Sequence, residues 1–552
     1  MGAKLYDNRI ELTGIKPCVY PFHVNRKGDK YTVSRRYVLE IAEQLGYTID
    51  TAPPALREAM LQERHARLAI ERLMTIGPTG SPVVNEHLTL RPIQEVAREI
   101  AWYRDKYCIY LDTRVGKTPT SLAIINDDLK KNPKHKWLII CPLTLIENAW
   151  IPDMKKFVPG ISYINCHATT KARRLEKLKD KSASIYITNT ESFASYKEYF
   201  DLFNFDGIIL DESSCLKSPK TKQTKAILEA AWSVKKFYQL SGRPAPNCEV
   251  EYYSQIRAVD YYGVHQSLTR FKHEYFVDTS FNSNFEKLML RPDKKDDLFN
   301  LIKKYAIYAD MSDELNLPGR EFIEVPVEMP KRLSEHYRAI KNKMATEVSD
   351  DVTITTLTAG AKINKLRQVT AGFLIDTDAK KENAIFGTGL QEVYNIDDYK
   401  LKKLSELLEK HKDEQVIIWA FYHEEFRAIK ELLGDKCRCV YGLTSASEKT
   451  QYIQEFKNGK VQYLVANAAS ASKGLTLTNC HICIYLSLDF SYENYYQSIQ
   501  RIYGDISSQP KFCTYYFILA KGTIDEDIYR DTLQGKGAVS MTLLNHLKRS
   551  GV

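Results

Sequence analysis

Two short strings in this chain carry residue types that act together on phosphate: Val115-Gly116-Lys117-Thr118, and the pair Asp211-Glu212 that closes the apolar run Gly207-Ile208-Ile209-Leu210. A lysine supplies positive charge for outer phosphate oxygens, a threonine hydroxyl and a carboxylate suit Mg2+, and a second carboxylate can take a proton from attacking water. Backbone N–H groups at a helix start add an anion cradle. Nucleotide hydrolysis is the chemistry this set fits. The loop departs from the full phosphate-loop pattern at Leu111, where that pattern has glycine.

Such residues work only if the backbone delivers them to one place. Tyr107-Cys108-Ile109-Tyr110-Leu111 reads as a buried strand and Ser121-Leu122-Ala123-Ile124-Ile125 as part of a helix, which is the strand, loop and helix context the lysine motif needs. Open α/β sheets bind ligands at the carboxyl ends of their strands, and the acidic pair stands at such an end. Around both strings, the strand-like runs Trp137 to Cys141, Ala183 to Ile187 and Phe237 to Leu240 alternate with helical stretches. The alternation returns with Gln415 to Trp419, Val461 to Val465, Ile482 to Leu486 and Thr514 to Ile518. Two α/β lobes with parallel sheets are expected.

The expected division is an N-terminal accessory domain over 1–82, a first lobe over 86–250, a helical insertion and linker over 251–400, and a second lobe over 401–552. Gly77-Pro78-Thr79-Gly80-Ser81-Pro82 is the clearest linker. The accessory domain carries Arg57, Arg64, Arg67 and Arg72 on a helical stretch, which reads either as a nucleic-acid grip or as a solvated face.

At 552 residues, with 44% hydrophobic and 27% charged residues, the composition is that of a multidomain globular protein. A net charge of +9 permits a polyanionic partner. The 11 cysteines are irregularly spaced, and no signal peptide or spanning apolar stretch is present, so a reduced, cytoplasmic setting and no membrane association are expected. Cys480 and Cys483 form a CxxC within a strand-like run whose side chains alternate faces, so no structural zinc is expected. Most of the 35 tyrosines read as packing residues, although some could stack on bases.

Further strings fall in a fixed order: Leu90-Arg91-Pro92-Ile93-Gln94 before the loop, Cys141-Pro142-Leu143-Thr144 through Asn148-Ala149-Trp150 after the next strand, and Thr188-Asn189-Thr190-Glu191-Ser192. After Asp211-Glu212-Ser213-Ser214 come Leu216-Lys217-Ser218-Pro219-Lys220-Thr221-Lys222, Leu240-Ser241-Gly242-Arg243-Pro244, Ser472-Lys473-Gly474-Leu475 and Gln497-Ser498-Ile499-Gln500-Arg501. The ordered set resembles the superfamily 2 helicase-like ATPases and, through Lys365-Leu366-Arg367-Gln368 and Gly522-Thr523-Ile524-Asp525, their Swi/Snf-type DNA translocases. Compact size and Arg114 resemble phage-encoded members, which would place the protein in a host cytoplasm.

The resemblance implies two RecA-like lobes, ATP and Mg2+, and a DNA partner, duplex or branched, bound without sequence preference by a chain expected to act as a monomer. It implies ATP binding by Arg91, Gln94, Val115, Gly116, Lys117, Thr118, Gly474 and Gln497, and metal binding by Thr118 and Asp211. Lys117, Glu212 and Arg501 are the implied catalytic residues, and Ser241 and Gly242 the coupling pair. Lys171, Arg173, Arg174, Lys217, Lys220 and Lys222 are candidate backbone grips, since phosphate contacts give affinity without sequence information. The implied activity is ATP-driven movement on DNA, with branch migration or fork remodelling as its use. An RNA or single-strand helicase and a non-catalytic DNA-binding scaffold are the alternatives. Departures from the family pattern are Arg114, Arg243, Lys473 and Gly504, the last standing where a second arginine is usual. One reading has Arg114 or Arg243 replacing that charge; the other leaves the work to Arg501 and turns these arginines toward DNA or solvent.

Overall fold

The computed structural model describes residues 2–13, 25–27, 30–168, 170–265, 267–279, 288–343, 345–349, 352–355, 359–376, 392–471 and 476–530. They form two compact units, one through Glu314 and one from Leu315 onward. Among them, no helix is long and apolar enough to cross a membrane.

The first unit is built on a seven-stranded sheet in the order Ala306–Ala309, Lys106–Leu111, Lys236–Leu240, Gly207–Asp211, Trp137–Cys141, Ile185–Asn189 and Tyr163–Asn165. Every neighbouring pair is parallel. The central strands are buried along their whole length, which is why they read as continuous apolar runs rather than alternating ones. In register, Asp211 lies beside Leu240 and Leu240 beside Ile109, so the chain leaves these three strands at one edge.

The second unit holds a six-stranded parallel sheet in the order Arg320–Val327, Cys513–Ala520, Ile482–Tyr485, Val416–Trp419, Tyr463–Ala466 and Cys437–Val440. Its core packs Leu404 and Leu408 of the Tyr399–Lys410 helix and Phe426 and Ile429 of the His423–Leu433 helix against Val416, Ile418, Ile482 and Ile484. Cys480 and Cys483 are buried in it, with the Cys480 thiol 3.0 Å from the Gln415 carbonyl.

The stretch 251–400, expected as a helical insertion and linker, divides between the units and gives each sheet an edge strand. Ala306–Ala309 pairs with Lys106–Leu111, and Arg320–Val327 pairs with Cys513–Ala520. Both escape sequence reading for a physical reason. The first is only four residues long, and the second carries Pro326 and polar residues that only an edge position tolerates.

The N-terminal segment is a small antiparallel sheet, ordered Gly2–Leu5, Arg9–Thr13, Lys30–Ser34 and Asn25–Lys27, beneath the helices Val38–Gln44 and Pro54–Thr75. It is fastened to the first α/β sheet by polar contacts. Arg36 donates to the Lys106 carbonyl at 2.6 Å and the Lys304 carbonyl at 2.9 Å, and the Ser34 hydroxyl meets Asp260. Glu63 accepts from Arg67 at 2.8 Å and from Arg104 at 2.6 and 2.9 Å. Arg67 also pairs with Glu40 at 2.9 Å. Of the four arginines on the Pro54–Thr75 helix, Arg67 therefore holds the structure together, while Arg57, Arg64 and Arg72 are exposed.

Burial works to raise the Glu63 carboxyl, but Arg104 and Arg67 outweigh it and hold it below the usual range. A depressed folded value means that Glu63 stabilises fully above its unfolded value near 4.5 and loses that contribution as pH falls through the folded value. Glu63→Gln is expected to cost about 3 kcal/mol at pH 7, the scale for breaking a buried pair. Denaturant unfolding should show the gap from wild type narrowing as pH falls below the unfolded value near 4.5; a gap independent of pH would contradict the assignment.

Candidate active site

Gly116 caps the helix Lys117–Lys131 with φ +101°, and a side chain there would run into the amide nitrogen of Gln94. Only glycine fits. Gln94 donates to the Val115 carbonyl at 2.6 Å and accepts from the Arg91 N–H at 2.9 Å, so Arg91 and Gln94 are braced against the loop. The Lys117 ammonium lies 3.2 Å from the Leu111 carbonyl, folded back over its own loop, and Thr118 is half-buried in the first helical turn. Arg114 has φ +65°, a conformation that costs an L-residue roughly 1–2 kcal/mol. That backbone bend gives a physical reason for glycine at this position in the usual pattern.

Asp211 and Glu212 leave the end of the strand Gly207–Asp211, two places along the sheet from Lys106–Leu111. The Asp211 carboxylate accepts from the indole N–H of Trp150 at 2.9 Å and from the Glu212 N–H at 3.0 Å. Glu212 has φ +57°, which turns its side chain sharply away from the strand direction; such strain clusters at functional positions. Cys141, at the end of the adjacent strand, has its thiol pushed well above the usual range by burial first and by the Asp211 charge second.

The third strand end brings Ser241, Gly242 and Arg243. A side chain at Gly242 would meet the Asp112 carboxylate at 3.2 Å and the Thr113 nitrogen at 3.3 Å, so this segment lies directly against the start of the lysine loop. The Arg243 side chain, 8% exposed, pairs with Asp112 at 3.4 Å and Asp310 at 3.6 Å and donates to Tyr308 at 3.2 Å. Asp112 in turn accepts from the Thr113 N–H at 2.7 Å. Arg243 thus turns to neither DNA nor solvent: it stitches the loop to the edge strand Ala306–Ala309. Removing one partner of a buried pair costs about 3–5 kcal/mol, so Arg243→Met is expected to destabilise the first unit by that amount. A loss below about 1 kcal/mol, measured in urea, would contradict this role.

Sequence reading passed over Gln255. Its amide accepts from Tyr110 at 2.8 Å and Ser213 at 2.9 Å and donates to the Pro244 carbonyl at 2.6 Å, joining the acidic pair to the Ser241–Arg243 segment. No motif marks a glutamine inside the Tyr252–Val259 helix.

In the second unit, Gln497 lies on the helix Tyr492–Ile499 and Arg501 just beyond it. Both are buried, and Arg501 donates through Nε to the Gln497 carbonyl at 2.7 Å. The Arg501 carbonyl accepts from the Leu477 N–H at 2.9 Å. Gly474 lies outside the described residues. Arg367 donates to the Leu488 carbonyl and stands 4.2 Å from the Phe421 ring centre, securing the helix Ala359–Thr370 to the loops after two strands of this sheet.

Of the candidate grips, Lys171 and Arg173 are exposed on the helix Lys171–Lys177, which Thr170 caps, whereas Arg174 donates to the Ala168 carbonyl. Lys217, Lys220 and Lys222 lie on the segment after Asp211-Glu212, with Lys220 and Lys222 exposed and Lys217 exposed at its start.

The donor set fits a nucleotide and its metal: a glycine-capped helix start with lysine and threonine, and a buried carboxylate oriented by two N–H groups. Residues 107–380 match the SNF2-related domain and residues 399–503 the helicase conserved C-terminal domain. The chain is 22% identical over 464 residues to the Bacillus subtilis protein YwqA, whose name contains ATP-dependent helicase/translocase; the match covers 80% of this chain and 47% of that protein. It is 23% identical over 430 residues to the Xenopus tropicalis SWI/SNF-related matrix-associated actin-dependent regulator of chromatin subfamily A-like protein 1, covering 76% of this chain and 41% of that one. The chain therefore spans less than half the length of these relatives. A Sulfolobus solfataricus SWI2/SNF2 ATPase core solved in complex with dsDNA aligns over 85% of this chain and 97% of its own, with 19% identity and a TM-score of 0.38.

Proposed function

The chain belongs to the SNF2-related, Swi/Snf-type family of helicase-like ATPases, and we propose on that premise that it hydrolyses ATP to drive its own movement along duplex or branched DNA. The observation that carries the reading is the meeting of Lys117, Asp211-Glu212 and Ser241-Gly242 at the ends of three adjacent strands.

In this reading the helix start and Lys117 hold the phosphates, and Gln94 with Arg91 keeps the loop in shape and faces the base. Mg2+, held by Thr118 and Asp211, neutralises phosphate charge when bound. Glu212 takes a proton from water as its oxygen bonds to the γ-phosphorus and the bond to the β-phosphate oxygen breaks, releasing ADP and phosphate. Gly242, set against Asp112 and Thr113, and Ser241 sense the nucleotide state and relay it toward the nucleic-acid groove. Gln497, Gly474 and Arg501 are assigned to ATP by the family pattern, Arg501 to the charge on the transferring phosphate. Lys171, Arg173, Lys217, Lys220 and Lys222 grip phosphates of the DNA backbone, and branch migration or fork remodelling is the use such movement would serve.

ATP turnover measured without nucleic acid, and with single-stranded DNA, duplex DNA, a four-way junction and RNA, tests the reading. Stimulation by duplex or junction DNA is expected. Stimulation by RNA alone would point to an RNA helicase, and no turnover under any condition to a scaffold.

A further inference from the structure

The segment after the Trp137–Cys141 strand contains a π-helical turn, Ile146–Trp150, closed by the Ile151 N–H on the Ile146 carbonyl and set between the short helix Leu143–Leu145 and the helix Ile151–Phe157. Such turns are rare and concentrate at functional sites. One added residue rotates the downstream side chains by about 100° relative to an uninterrupted α-helix. Here the turn ends on Trp150, a fully buried side chain whose only polar atom reaches across to the Asp211 carboxylate at 2.9 Å. The other Asp211 oxygen accepts from the Glu212 N–H at 3.0 Å, so each oxygen has a fixed direction.

We propose that Trp150 is a positioning residue that orients Asp211 for a divalent cation, an inference resting on the reading that Asp211 binds Mg2+ with nucleotide. An indole N–H suits the task because it is a neutral donor. It fixes the carboxylate without cancelling its charge, which a lysine or arginine at the same place would do, leaving the full negative charge for the metal. The π turn supplies the rotation that brings the indole to the strand end.

The test uses Trp150→Phe in the full chain, which removes the N–H and keeps an aromatic ring. Mn2+ binding in the presence of a non-hydrolysable ATP analogue is followed by electron paramagnetic resonance, and analogue affinity is measured separately in EDTA. The half-saturating Mn2+ concentration is expected to rise about tenfold, the scale of one lost hydrogen bond to a charged group, with analogue affinity in EDTA unchanged within about twofold. In an Asp211→Asn background the same substitution is expected to have no further effect on Mn2+ binding. Unchanged Mn2+ binding in Trp150→Phe, or an equal loss of analogue affinity in EDTA, would overturn the proposal by reducing Trp150 to packing. Wild-type protein that binds neither metal nor analogue would instead overturn the nucleotide reading, and this proposal with it. If the variant does not fold, the wild-type indole 15N–1H spectrum decides. Its 5 tryptophan signals are assigned with substitutions at the other positions, and Mg2+ added with the analogue should shift that of Trp150. An unmoved signal would overturn the proposal.

Discussion

Arg501→Ala is expected to lower ATP turnover by about three to five orders of magnitude, the effect of removing an arginine that stabilises charge on a transferring phosphoryl group. Gly504 stands where the family pattern has a further arginine, and Arg243 is held between Asp112 and Asp310, so neither shares the load. Arg501 is oriented by its own helix through the Gln497 carbonyl. Binding of an ATP analogue, which does not develop the transition-state charge that Arg501 is assigned to stabilise, should stay within a few-fold of wild type. Single-turnover hydrolysis at saturating ATP is the measurement. A fall of less than tenfold would transfer the role elsewhere, and Arg114→Ala in the same background would then show whether the loop arginine carries it.

Glu212→Gln is expected to lower turnover by about two to four orders of magnitude, the usual worth of a positioned general base, with nucleotide affinity retained. The substitution keeps the size of the side chain and the positive-φ backbone and removes only the ability to accept a proton. Full activity in this variant would mean that Glu212 is not the base. The two variants should also differ in kind: the glutamine variant removes the proton acceptor, and the alanine variant removes charge stabilisation. Their effects will not add simply if both act on one transition state.

Much of the site is legible in the sequence because its strings are short and their residue types are costly to place by chance. Gly116-Lys117-Thr118 and Asp211-Glu212 announce a phosphate chemistry, and the apolar runs before them announce strands. Their adjacency is legible too, from the rule that ligands gather at carboxyl strand ends. Sheet order is not, because parallel pairing joins strands far apart in sequence and leaves no local mark. The supporting contacts are hidden for the same reason. Arg243 meets Asp112 and Asp310, and Trp150 meets Asp211, through side chains whose partners lie more than a helix away. The edge strands Ala306–Ala309 and Arg320–Val327 read as parts of a helical region because the first is only four residues long and the second mixes Pro326 and charged residues into a largely exposed run. Arg67 is ambiguous between grip and solvated face in the sequence, and only the placement of Glu40 and Glu63 makes it a structural residue.

Displacement of a third strand from a DNA triplex reads the proposed movement along a duplex without requiring the duplex to open. ATP-dependent release of the third strand by the wild-type chain is expected, with the underlying duplex intact and with release abolished by Glu212→Gln. ATP hydrolysis in the same reaction without release, or release at wild-type rate by Glu212→Gln, would contradict it.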